Sequence, residues 1–171
     1  KHFLNTLSLN ELQCFENAGL LNNNEENVII WWDDLISFQR SIKNNENVIK
    51  GRTGERKSFE YEKNKLRKLS INLIPSWDSL EDDTLGYDIT SYNELKEEIF
   101  IECKYSESKI NNFHLSNREY NRALGKKEFY FVHYWNSSNV NPIIIDFYKL
   151  KELVLENKDN TEWVDIHIKN F

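Results

Sequence analysis

Apolar and polar positions alternate with a period that changes several times along this chain, and each change marks an element. Ser8-Leu9-Asn10-Glu11 reads as a capping box, in which the serine and the glutamate three residues on satisfy each other's backbone amides. It predicts a short helix with Leu9, Leu12 and Phe15 on one side and Gly19 at its end. After the polar turn NNNEEN, apolar residues at Ile29, Trp32, Leu35, Ile36 and Phe38 predict a second helix over about 28–43. Gly51 and Gly54 then read as a backbone turn. A third helix is expected over about 55–69, with sparse apolar positions at Phe59, Leu66 and Leu69.

The second half reads differently. INLIP is a short apolar strand, SWDSLEDDTLG a loop, and LGYDITSY and EIFIECKY two consecutive strands. The stretch after Tyr105 is polar and reads as a loop. Ser116-Asn117-Arg118-Glu119 is a second capping box, opening a helix through about Leu124 with Gly125 as its stop. EFYFVHYW and IIIDFY are strands rich in aromatic and β-branched residues, LKELVLEN a helix, and EWVDIHIKNF a last alternating strand. Helices interleaved with a mixed sheet predict an α/β or α+β fold. The division expected is a small N-terminal helical extension over residues 1–50 and a sheet-containing domain over 51–171.

Composition narrows the class. The chain has 171 residues, a net charge of −6, two cysteines and no methionine. Cys14 and Cys103 are far apart and make no metal spacing, so reduced thiols in a cytoplasmic protein are expected. No apolar run is long enough to span a membrane, and no signal-peptide pattern is present. A start at Lys1 without methionine suggests a piece of a longer protein, whose other domains are then partners. The acidic balance argues against a general DNA-coating protein. Its distribution is uneven: Lys50 to Lys68 holds eight Lys or Arg against three Glu, and Leu69 to Cys103 holds nine acids against Lys96 alone. That pattern suits phosphate held on one side and metal on the other; two ordinary solvated faces are the plain alternative.

The candidate chemistry lies on the two consecutive strands. Side chains alternate faces along a strand, so Glu102 and Lys104 share one face, while Ile99, Ile101 and Cys103 take the other. If the strands pair, Asp88 reaches the Glu102 face. Two carboxylates and a lysine then converge, as a metal-dependent phosphodiesterase needs. The acid–x–Lys spacing is cheap by itself, since Glu94-Leu95-Lys96, Glu107-Ser108-Lys109 and Glu156-Asn157-Lys158 repeat it. Only the Glu102 copy lies in an apolar strand next to a strand carrying an acid. Arg52, Arg56 and Lys57 are candidate phosphate contacts. Glu119 reads as a helix-cap partner, His133 as a packed strand residue, and His2, His114 and His167 form no ligand spacing.

The blocks GRTGERKSFEYEKNKL, PSWDSLEDDTLGYDITSY, IFIECKYS, FHLSNREYNRAL and EFYFVHYW, in that order, resemble the PD-(D/E)xK nuclease superfamily. Within it they resemble the domain family named after the C-terminal region of the plant NO VEIN protein, found in bacterial restriction and phage-defence proteins. The resemblance covers about Gly51 to Trp135 and implies a restriction-endonuclease-like mixed sheet flanked by helices. It implies that Asp88, Glu102 and the first-helix Glu55 bind Mg2+, with Mn2+ as a substitute, and that Lys104 completes the catalytic set. The function implied is a DNA endonuclease in restriction or phage defence, with self-association into a homodimer left open. The competing expectation is a non-catalytic module of a larger protein that binds nucleic acid or a protein partner. On the nuclease reading, Lys104→Ala abolishes cleavage and leaves the fold intact.

Overall fold

The computed structural model describes residues 6–21, 25–82, 84–108, 110–157, 165–169 and 171. The chain divides into two units, Lys1–Asn47 and Val48–Phe171. In the first, the Ser8–Glu11 capping box forms as expected and opens α1 (Leu9–Asn17). Phe15 stacks on Trp32 with ring centroids 5.7 Å apart, and the Trp32 indole N–H donates to the Leu20 carbonyl at 3.0 Å. Leu9, on the same side as Leu12 and Phe15 by spacing, is exposed.

Gly51 and Gly54 do not make a turn. They lie inside one helix, α2 (Glu26–Lys68), which replaces the two helices expected from the sequence. Gly54 is there for close approach: a Cβ on it would sit 2.9 Å from Cβ of Tyr105. Gly51 has only ordinary contact, 3.7 Å to a Glu55 carboxylate oxygen. Two glycines three apart therefore carry no turn information here. Gly54→Ala is expected to cost about 1–3 kcal/mol by overpacking. Gly51→Ala should gain about 0.5–1 kcal/mol, as for glycine in a helix interior. Urea melts of the two variants check this pair, and equal effects would contradict it. The helix ends where Ser70 takes φ +55° and the Ile71 amide reaches back to Leu66 O at 2.9 Å. Lys65, Arg67 and Lys68 in its last turn suit the helix dipole.

The strands β1 (Ser76–Trp77), β2 (Ile89–Tyr92), β3 (Glu98–Ser106), β5 (Tyr130–Asn136) and β6 (Ile143–Asp146) form a mixed sheet in the order β1-β2-β3-β5-β6. Only β3 and β5 run parallel; the other neighbours are antiparallel. A second sheet pairs β4 (Asn112–Ser116) with β7 (Asp165–Lys169). With α3 (Asn117–Lys126) and α4 (Phe147–Asn157), this is the mixed α/β, α+β class expected. INLIP is not a strand; pairing begins after Pro75, which has no amide to donate. The stretch after Tyr105 is not all loop, because Phe113 and Leu115 turn inward and their neighbours pair with β7. Gly125 does not stop its helix, which runs to Lys126 and ends at Lys127 with φ +47°. Among the described residues no helix is long and apolar enough to cross a membrane.

Register separates the two faces of the main sheet. Ile89, Ile99, Ile101 and Cys103 pack with Phe59 of α2 and Trp77. On this face the Trp135 indole N–H also donates to Ser58 at 2.8 Å. Phe100, Val132 and Tyr134 face the other way, into the larger core with Leu115, Ala123, Leu150 and Ile168. Glu102 stands opposite Val132 and Lys104 opposite Tyr134, so both belong to this second face.

Candidate active site

Asp88 sits one residue before β2, not within it. Its amide still donates to Ile101 O at 2.9 Å, which carries the β2–β3 ladder one step further. Its carbonyl accepts from the Asp78 and Ser79 amides at 2.8 and 3.1 Å. The ladder ends there because the Asp88 side chain takes the next donor, the Cys103 amide, at 2.7 Å. The approach to Asp88 depends on Gly86, whose φ is +76° and whose missing Cβ would lie 3.2 Å from Cβ of Arg122. The Tyr130 hydroxyl fixes the same turn by donating to Gly86 O at 3.0 Å.

Lys104 is the centre of the charged group. Its ammonium lies 2.9 Å from a Glu102 oxygen and 2.8 Å from a Glu119 oxygen. Glu119 is also the capping-box acid of α3 and accepts from the Ser116 amide at 3.0 Å. It therefore does two jobs with one carboxylate, where the sequence suggested only the cap. Its second role could be read only from the end of β4 beside Lys104, and β4 was itself not evident. Asp88, Glu102 and Glu119 line a cleft of about 370 Å³, together with Gly86, Ser116 and Arg118.

The electrostatics follow from burial. Burial raises the Asp88 carboxyl, the Cys103 amide partly offsets this, and the Glu55 charge adds to it, leaving Asp88 at about 6. Burial also holds Glu102 well above the ordinary carboxylate range; Lys104 opposes the shift, while Asp88 and Glu119 add to it. For Lys104, burial works against the ammonium, but Glu102 and Glu119 outweigh it and hold the lysine above its usual value. For Glu119 burial likewise loses, to Lys104 and the Ser116 bonds, and its carboxyl lies low. Lys104 is thus a fixed cation rather than a proton acceptor.

The other expected residues stand apart from this cluster. The Glu55 carboxylate accepts from Trp77 at 2.7 Å, from Ser79 at 2.5 Å and from Arg52 at 2.6 Å. Arg52 also donates to the Ser79 carbonyl at 3.2 Å. Arg56 is exposed, and the Lys57 ammonium lies 5.2 Å from the Tyr105 ring. His133 is buried; burial, then the Lys65 charge, pushes its imidazole down to about 3, so it is neutral. His114 and His167, unrelated by sequence spacing, stack across β4 and β7 with centroids 4.3 Å apart.

Among the described residues, no set of three or more His, Cys, Asp or Glu side chains is arranged to hold a metal ion. The expected trio of Glu55, Asp88 and Glu102 is not gathered, since Glu55 is committed to Arg52, Trp77 and Ser79. Asp88 and Glu102 nevertheless suit a hard divalent ion by their chemistry. Both are oxygen donors whose charge is raised in energy by burial and by neighbouring acids, so a nearby cation favours both.

Compared with known families, residues 54–145, more than half of the chain, match the family described as Protein NO VEIN, C-terminal. No curated protein and no solved structure matches the chain significantly.

Proposed function

The chain belongs to the Protein NO VEIN C-terminal family, and we propose that it is a metal-dependent DNA endonuclease domain of the PD-(D/E)xK type. The observation that carries this reading is the Lys104 ammonium between Glu102 and Glu119, two acids that line one cleft with Asp88. A purely structural ion pair gains little from a third and fourth buried charge, because each costs desolvation. Buried, mutually repelling acids around a lysine are what a site for phosphate chemistry keeps at the expense of stability.

Asp88 and Glu102 would hold the metal; Glu55, whose carboxylate Arg52, Trp77 and Ser79 hold, bears on Asp88 by its charge alone. Mg2+, or Mn2+ in its place, would supply positive charge at the scissile phosphate. Lys104 stays protonated and stabilises the negative charge that develops on the phosphoryl oxygens. Glu119 and Glu102 fix its position from two sides. A metal ion beside Asp88 would stabilise its carboxylate and oppose the rise that burial gives it, so Asp88 would serve as a ligand rather than as a proton acceptor. Water attacks phosphorus in line and gives up a proton to solvent, the bond from phosphorus to the 3′ oxygen breaks, and that oxygen takes up a proton from solvent. The products carry 5′-phosphate and 3′-hydroxyl ends. The setting we propose is restriction or phage defence in the cytoplasm, as part of a longer chain.

Metal binding is tested apart from cleavage by thermal melts. Saturation at about 100 times Kd contributes about 2.7 kcal/mol. In a domain of this size that raises Tm by roughly 5–10 °C. Mn2+ should give this rise in the wild-type protein and none in Asp88→Asn/Glu102→Gln. An equal rise in both proteins would contradict the placement of the metal.

A further inference from the structure

We propose that a second cleft, on the face of the sheet opposite Glu102 and Lys104, binds single-stranded nucleic acid. The cleft measures about 540 Å³ and lies between the last turns of α2 and the β5–β6 loop. Its charged lining is Lys57, Lys65 and Lys68 against Glu60 alone, on a chain whose net charge is −6. Glu60 is moreover paired with Lys63, 3.6 Å away. Asn64, Asn139 and Asn141 add amide donors and acceptors, and the half-buried Tyr61 adds aromatic surface above the buried Trp135.

The lysines are placed rather than scattered. Lys57 stands over two rings, 5.2 Å from Tyr105 and 5.4 Å from Trp135. Lys65 is anchored to the buried Glu62 carboxylate, which Ser91 also holds at 2.5 Å. A groove combining cations for the backbone, aromatic surface for bases and amides for base edges matches a single strand. A duplex offers such a cleft mainly phosphates, because its bases are stacked inside.

The position relates the cleft to the acids. Tyr105 and Trp135 face each other in the β3–β5 register, one residue on from Lys104 and Tyr134. Successive residues point to opposite faces. The lysine cleft therefore begins at the same height of the sheet as Lys104, but behind it. A strand leaving the acidic cleft around the C-terminal ends of β3 and β5 meets Lys57 first. The inference rests on nucleic acid being the substrate class, but not on cleavage.

The test is fluorescence anisotropy with a short labelled oligothymidylate, in EDTA, using the whole chain. Lys57→Glu/Lys68→Glu should weaken binding roughly tenfold or more, and should lower the slope of log K against log salt by about 1.4 for two lost contacts. Lys63→Glu/Arg67→Glu makes the same charge change on the same helix outside the cleft and should lose less than half as much in log K. The neutral pair Lys57→Gln/Lys68→Gln should fall between wild type and the glutamate pair. Unchanged affinity in the cleft variants, an equal loss in the control, or an equal loss for the matching duplex would each overturn the proposal. Binding without cleavage in Mg2+ would sink the nuclease reading and leave this one standing.

Discussion

Lys104→Ala should lose stability as well as activity. The substitution leaves Glu102 and Glu119, both largely buried, without the cation that lies within 2.9 Å of each. Breaking a buried pair by removing one partner typically costs about 3–5 kcal/mol. Part of that cost is avoided when Glu102, already raised by burial, takes up a proton. Beside the sequence expectation of lost cleavage in an intact fold, the two ion pairs add an expected loss of stability. On the proposed mechanism cleavage falls by about 10²–10³ or more, the size found when one charge-stabilising donor is removed. Lys104→Met/Glu102→Gln separates the two effects. It replaces the Lys104–Glu102 pair by neutral groups of similar volume and should recover part of the stability, Glu119 still lacking its cation, and none of the cleavage. Urea melts and cleavage assays at one temperature check both halves. Wild-type stability in Lys104→Ala would show that the lysine does not hold the two acids.

Asp88→Asn should make the protein more stable at neutral pH and inactive. The Asp88 carboxyl stands at about 6 in the folded protein, against an ordinary aspartate value of 3.8. A raised acid binds its proton more tightly when folded, so stability falls as pH rises. The penalty is absent below about pH 4, grows between pH 4 and 6, and is complete above. That rise corresponds to roughly 3 kcal/mol. Asparagine removes the ionisation and can still accept from the Cys103 amide through its carbonyl oxygen. The variant should therefore exceed wild type by roughly 2–3 kcal/mol at pH 8 and match it at pH 4. Melts in urea at pH 4, 6 and 8 give the comparison. A variant less stable than wild type at pH 8 would show that the Asp88 charge is satisfied in the fold.

These two predictions show how far the sequence could be read. Alternation put Glu102 and Lys104 on one strand face and Ile101 and Cys103 on the other, and the ladder from β2 to β3 brings Asp88 to Glu102. Both capping boxes were legible because each is a contact within four residues. What escaped depends on distant parts of the chain. Gly54 looks like a turn residue until Tyr105 packs on it. Phe113 and Leu115 are too short a signal for a strand until β7 arrives to pair with them. Glu119 met Lys104 through that same β4, so its place in the site was hidden with it. Glu55 shows the opposite case: its residue type fits the family pattern, but Trp77, Ser79 and Arg52 hold its carboxylate.

The most direct test of the central claim is cleavage of supercoiled plasmid by the longest available form of the protein. It is run with Mg2+, with Mn2+ and with EDTA, beside Lys104→Met/Glu102→Gln. The account predicts nicked or linear DNA with 5′-phosphate ends, only with metal, and none from the variant. Equal cleavage by the variant, or cleavage that persists in EDTA, would contradict it. Intact plasmid in every lane, from a protein that still binds DNA, would favour a nucleic-acid-binding module instead.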